Sequence, residues 1–177
     1  MEKDEWQQFC EKISELGKYL EDQGMPLAYH HHMGTVIETQ KDTERLIENT
    51  HESVKLTLDT GHMLFAKGDS KSILQNYYER ILHVHCTDIR KQVLEKSLKE
   101  DLSFRGALIE RAFTVPGDGC IDYQPLFNVL KNNNYSGWLV VEAEQDPAKA
   151  NPLEYAKIGY KYLTDTLKKS EIEIYKN

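Results

Sequence analysis

The chain has 177 residues, 40% of them hydrophobic and 29% charged, with a formal net charge of -7, the make-up of one soluble globular domain spanning 1–177. The acidic balance argues against nucleic acid as a partner, because phosphate binding needs clustered Lys and Arg. No apolar run approaches the roughly 18 residues of a membrane span, and the opening MEKDEWQQF has no signal-peptide core, so neither membrane insertion nor export is expected.

In chain order, Trp6, Phe9, Ile13, Leu16, Tyr19 and Leu20 recur at steps of three or four and predict an amphipathic helix over 4–22, ended by Gly24 and Pro26. PLAYHHH (26–32) reads as a short strand and 41–50 as a helix. VKLTLD (54–59) reads as a strand with Val54, Leu56 and Leu58 alternating against Lys55, Thr57 and Asp59. A helix over 70–80 precedes a third strand, ILHVHCTD (81–88). Residues 90–112 read as helix in pieces, and 113–123, punctuated by Pro116, Gly117 and Gly119, as a loop. A helix over 125–134, an apolar strand GWLVVEAE (137–144) and a helix over 151–168 close the chain. Strands alternating with helices, without hairpin turns, predict an α/β fold with a parallel sheet and crossover helices. Ligands of such sheets sit at the carboxyl ends of the strands.

Each predicted strand starts apolar and ends in metal-capable groups: His30, His31 and His32; Asp59, then His62; His83, His85 and Asp88; Glu142 and Glu144. Residues two apart on a strand share a face, which groups His30 with His32, His83 with His85, and Glu142 with Glu144. A mixed set of imidazoles and carboxylates suits Mn, Co, Fe, Zn or, less well, Mg. Without a cation, burying those carboxylates together costs several kcal/mol. Blander roles stand beside these. Asp59 before Thr60 and Gly61 suits a helix N-cap or a turn, Glu144 the solvated start of a loop, and PGDG a simple turn. Glu142, continuing the run WLVV, is the carboxylate hardest to explain by packing. Cys10, Cys86 and Cys120 form no CxxC pair, so a reducing, cytoplasmic setting is expected, with neither disulfide nor cysteine zinc site.

The stretches AYHHHMGTVIET, LTLDTGHMLFAKGD, HVHCTDIR, FTVPGDGCIDY and YSGWLVVEAEQDPAKANPLEYA together resemble the inosose dehydratases, a family of the xylose isomerase-like TIM barrels. The resemblance runs over about residues 5 to 168. It implies four strands of a (β/α)8 barrel, strands five to eight, so that the chain is similar to a C-terminal half; a whole barrel takes about 250 residues. It implies a divalent metal, Mn or Co, held by Asp59, His85 and Glu142. The fourth ligand comes from the YHHH strand; it is a glutamate in related sugar epimerases, and here His32 or His30 stands in its place. Carried over in the same way, Glu38, His62 and Glu144 are catalytic candidates, and His30, His32 and Arg90 are substrate contacts. The implied reaction is loss of water from a keto-inositol (inosose), a small polyol ketone, in myo-inositol catabolism. A sugar isomerase or epimerase, and a non-catalytic half-barrel subunit, remain open beside it. A half barrel exposes sheet edges, which points to a homo-oligomer or to a partner chain carrying the N-terminal half.

Overall fold

The computed structural model describes residues 1–174. The chain divides into two compact units, Met1–Val84 and a second beginning at His85. Strands β1 (Leu27–His30), β2 (Val54–Asp59), β3 (Ile81–Cys86) and β6 (Trp138–Val141) form one sheet in the order β1-β2-β3-β6. This is the parallel α/β arrangement that the alternation of patterns predicts. Among the described residues no helix is long and apolar enough to cross a membrane.

In the first unit, α1 (Lys3–Asp22) buries Trp6, Cys10 and Gly17. Leu16 and Tyr19, expected on its apolar face, are instead 48% and 61% exposed. Gly17 explains the choice of face: a Cβ there would stand 2.9 Å from Ser53 Oγ and 3.1 Å from Val54 Cγ2. The helix touches the strand through its one side-chain-free position, and that contact turns Leu16 and Tyr19 outward. Helix α2 (Gln40–Asn49) starts at a capping box, in which Thr39 and Asp42 satisfy each other's backbone N–H.

Strand β1 pairs parallel with β2, from Leu27 opposite Val54 to His30 opposite Thr57. The alternation expected along β2 is lost, since Thr57 and Asp59 are buried together with Val54, Leu56 and Leu58. A parallel strand is covered on both faces, so polar side chains on the second face are enclosed too. Helices α3 (Thr60–Phe65) and α4 (Ser70–Asn76) and a 3-10 turn (Tyr78–Arg80) lead into β3. Arg80 ties the unit together by donating to the carbonyls of Ile47 (2.9 Å) and Val54 (2.7 Å) and to Thr50 Oγ1 (2.9 Å).

In the second unit, the helix expected in pieces is α5 (Lys91–Lys99) and α6 (Phe104–Ile109). The segment 113–123 is not all loop. Phe113–Thr114 (β5) pairs antiparallel with Asp88–Ile89 (β4), so the third strand ends at Cys86 and a new pairing begins. Helix α7 (Gln124–Asn132) and helix α8 (Pro152–Lys169) complete the unit. Its core holds Ile89, Phe113, Val115, Tyr123, Phe127 and Leu130. Strand β6 is shorter than expected and is not buried: Trp138 is 66% exposed, and Glu142 and Glu144 follow its last residue. It ends the sheet order, and an end strand has one neighbour.

Candidate functional site

In the first unit the site is built by a mismatch in strand length. Strand β1 stops at His30 opposite Thr57, whereas β2 continues for two residues to Asp59. Asp59 is fully buried and caps α3, its Oδ1 accepting the His62 N–H at 2.8 Å. The cap reading of this residue therefore holds, and the second oxygen, Oδ2, lies 3.8 Å from His30 Nε2.

Three histidines of this unit are assigned tautomers by their partners. His32 Nδ1 lies 2.8 Å from the Met33 carbonyl, which can only accept. A neutral His32 therefore carries its proton there and a lone pair on Nε2. His62 is the reverse, since Met33 N–H donates to its Nδ1 at 3.4 Å; Nε2 then bears the hydrogen. The two rings lie with centroids 3.7 Å apart. His31 Nε2 accepts the Asp59 N–H at 3.1 Å, so its proton sits on Nδ1. That Nδ1 is buried with no hydrogen-bond partner among the described residues, which costs about 1–3 kcal/mol. Burial pushes the His31 pKa down to about 3, against the opposing pull of Asp59. Glu38 is half-buried at the end of the following loop and accepts the Gly34 N–H at 2.8 Å.

In the second unit, His85 Nδ1 approaches Glu142 Oε2 to 2.6 Å, both side chains being partly exposed. Thr87 Oγ1 donates to the same oxygen at 3.4 Å. Val84 and Cys86 are buried while His83 and His85 share the other, half-open face. Two ligands held about 2.1 Å from one ion at near-tetrahedral angles stand about 3.4 Å apart. The spacing between His30 and Asp59 suits that requirement with little change. The pair of His85 and Glu142 has to open by somewhat less than 1 Å. The donor set, imidazole nitrogen with carboxylate oxygen, is one that divalent transition metals take.

Asp88 turned out differently from the other strand-end groups. It is 1% exposed, and its Oδ1 accepts three backbone N–H groups, from Ile89 (2.7 Å), Cys120 (2.9 Å) and Ile121 (2.9 Å). A Cβ at Gly119 would sit 2.1 Å from that oxygen, which accounts for the second glycine of PGDG. Burial pushes the Asp88 carboxyl up despite these donors. Arg90, expected to touch substrate, is engaged with the same loop. It donates to Asp118 Oδ2, to the Arg111 carbonyl (2.8 Å) and to Thr114 Oγ1 (2.9 Å). PGDG is thus a fastened turn. Glu144 lies beyond β6, and the next residue, Gln145, donates to Thr114 Oγ1 at 3.1 Å.

Two roles escape a reading of strand ends alone: His31 as a buried acceptor and Asp88 as a loop anchor. For His31 a signal was present. It alternates with His30 and His32, so it must face the other side of the sheet, where a histidine has to be neutral and hydrogen-bonded.

Residues 2–166 match the xylose isomerase-like TIM barrel family. The chain is 49% identical over 163 residues to an inosose dehydratase of Clostridium beijerinckii, covering 92% of this chain and 55% of that protein; it thus spans about half the length of the curated relatives it matches. Among solved structures it is similar to a probable 3-DHS dehydratase, AsbF, from Bacillus anthracis (17% identity, TM-score 0.71, 93% of this chain and 58% of that one). It is also similar to the IOLI protein with a binding zinc atom (22% identity, TM-score 0.66, 89% and 54%). At these identities the solved structures speak for the fold.

Proposed function

This chain belongs to the xylose isomerase-like TIM barrel family, and from that membership we propose that it is the C-terminal half of a divalent-metal-dependent hydro-lyase that removes water from 2-keto-myo-inositol. One observation carries the chemistry: each unit sets an imidazole against a carboxylate at its strand ends, His30 with Asp59 and His85 with Glu142. Kinship with inosose dehydratases suggests the substrate.

In this reading Asp59, His85 and Glu142 hold the ion, Mn or Co. Of the two histidines open for the fourth position, His30 has its Nε2 3.8 Å from Asp59 Oδ2, and we assign it there. His32, with its Nε2 lone pair, then serves as a ligand in reserve or as an acceptor for a substrate hydroxyl. When bound, the ion supplies Lewis-acid polarisation of the ketone and an adjacent hydroxyl oxygen. The side chains do the proton work. A carboxylate, Glu144 or Glu38, takes the proton α to the ketone. His62, which bears its hydrogen on Nε2, hydrogen-bonds the departing β-hydroxyl, and the proton that the carboxylate took from the α-carbon leaves with that hydroxyl as one water, which restores the carboxylate. Arg90 acts on substrate through the loop that it fastens.

The test is metal content together with turnover of 2-keto-myo-inositol by the purified chain with added Mn2+ or Co2+, with ketohexoses as controls for isomerase activity. Bound metal is expected in the chain by itself, which carries all the proposed ligands, and dehydration once the barrel is complete; turnover of ketohexoses alone would replace the dehydratase by an isomerase.

The span of 55% of the relative's length and the exposure of Trp138 on an end strand favour a second element of the proposal. The chain completes its barrel with a partner carrying the N-terminal half, or with a second copy, in the cytoplasm. Activity that appears only on mixing the two halves supports the first; a dimer in solution that is active by itself supports the second.

A further inference from the structure

We propose that His31 is a positioning residue that holds Asp59 for metal binding, its Nε2 replacing the strand carbonyl that β1 does not supply. The proposal rests on the metal reading above. The parallel ladder ends with His30 opposite Thr57, yet β2 continues to Asp59. The Asp59 N–H therefore emerges past the end of its neighbour, and Asp59 is wholly buried, away from water. A buried N–H needs an acceptor. The chain meets that need with the imidazole of His31, also wholly buried, at 3.1 Å.

The consequence falls on the carboxylate. Asp59 is held at its N–H by His31 and at its Oδ1 by the His62 N–H at 2.8 Å. Fixing the backbone and one oxygen sets the direction of the other, which lies 3.8 Å from His30 Nε2. Losing the His31 acceptor frees the backbone at Asp59, and the carboxylate then pays an ordering cost on binding an ion. Outer groups that orient metal ligands commonly change affinity by about 10–100-fold.

Two substitutions separate this role from a plain core histidine. A glutamine amide reaches as far as Nε2, whereas an asparagine amide reaches only as far as Nδ1. In titrations of the full chain with Mn2+, H31Q should bind within about three-fold of the unsubstituted protein and H31N about ten-fold or more weakly. Hydrogen exchange at the Asp59 amide, read in the metal-free protein, should quicken in H31N and stay protected in H31Q. As a control, L46A removes a buried side chain of α2, and it should lower the melting temperature without moving the Mn2+ affinity. Equal affinity and equal Asp59 protection in H31Q and H31N would overturn the role of His31. Absence of Mn2+ binding in the unsubstituted chain, with the amide result intact, would instead overturn the metal reading and leave His31 as the strand-end acceptor.

Discussion

Each unit buries an aspartate near the end of an apolar strand, Asp59 as the last residue of β2 and Asp88 two residues after β3, and the two do different work. Asp59 spends one oxygen on a helix cap and sets the other 3.8 Å from an imidazole. Asp88 gathers three backbone N–H groups on one oxygen and closes a loop around itself. Both are essentially inaccessible to solvent, so burial does not distinguish the proposed ligand from the anchor. The direction of the second oxygen does: one is turned toward a histidine, the other is enclosed with no hydrogen-bond partner among the described residues.

The largest expected effect breaks the anchor. Asp88→Ala takes the carboxylate from the N–H groups of Ile89 and Ile121, while the Cys120 N–H keeps the Ile89 carbonyl at 2.9 Å; at about 1–3 kcal/mol for each lost acceptor, unfolding in urea should show a loss of about 2 kcal/mol or more. Asp88→Asn keeps an oxygen in place and should lose less than half as much. Equal losses in the two variants would mean that packing, and not the N–H cluster, holds the loop.

Asp59→Asn tests the other side. The amide oxygen still caps α3, so stability should stay within about 1 kcal/mol, while Mn2+ affinity should fall by more than the roughly 100-fold that losing a group behind a ligand produces, since here the charged ligand itself is replaced. A large stability loss with unchanged affinity would reverse the roles of the two aspartates.

A smaller effect is expected with pH. The Asp88 carboxyl is raised above its ordinary 3.8 in the folded protein, so above that pH the unfolded chain gives up its proton first. Between 3.8 and the raised folded value the folded state holds more protons, and the Asp88 contribution to stability declines as pH rises through that window. Urea midpoints taken across the acid range should show this decline in the unsubstituted protein relative to Asp88→Asn; parallel profiles would rule it out.

The smallest effect is expected at the sheet end. Trp138→Ser should alter the stability of the monomer by no more than about 0.5 kcal/mol, as is usual for exposed positions. A change in molecular mass in solution on this substitution would mean that the edge is covered by another chain.

Much of this architecture is legible from local pattern. VKLTLD is a strand at the expected residues because a β-branched and leucine-rich run is bounded by turn formers. The helix read over 41–50 is present as Gln40–Asn49, and the metal-capable groups lie at or just beyond strand ends. What local pattern does not carry is which neighbour covers a face. Leu16 and Tyr19 obey helical spacing yet point outward, because the close approach of Gly17 to Ser53 and Val54 chooses another face. WLVV reads as buried, yet its strand ends the sheet order and is half-exposed. Phe113–Thr114 reads as loop, since a two-residue pairing with Asp88–Ile89 leaves no periodicity to detect.

By itself, then, the sequence determined the order of elements, the parallel α/β class and the chemical types gathered at the strand ends, since these follow from propensity and the side-chain repeat along each element. Only the tertiary structure decided that His31 supplies an acceptor to Asp59, that Asp88 anchors PGDG and that Arg90 fastens the same loop. Those assignments depend on distances between groups 21 to 33 residues apart along the chain. A hydrogen bond is set by angstroms in space, which spacing along a sequence does not encode.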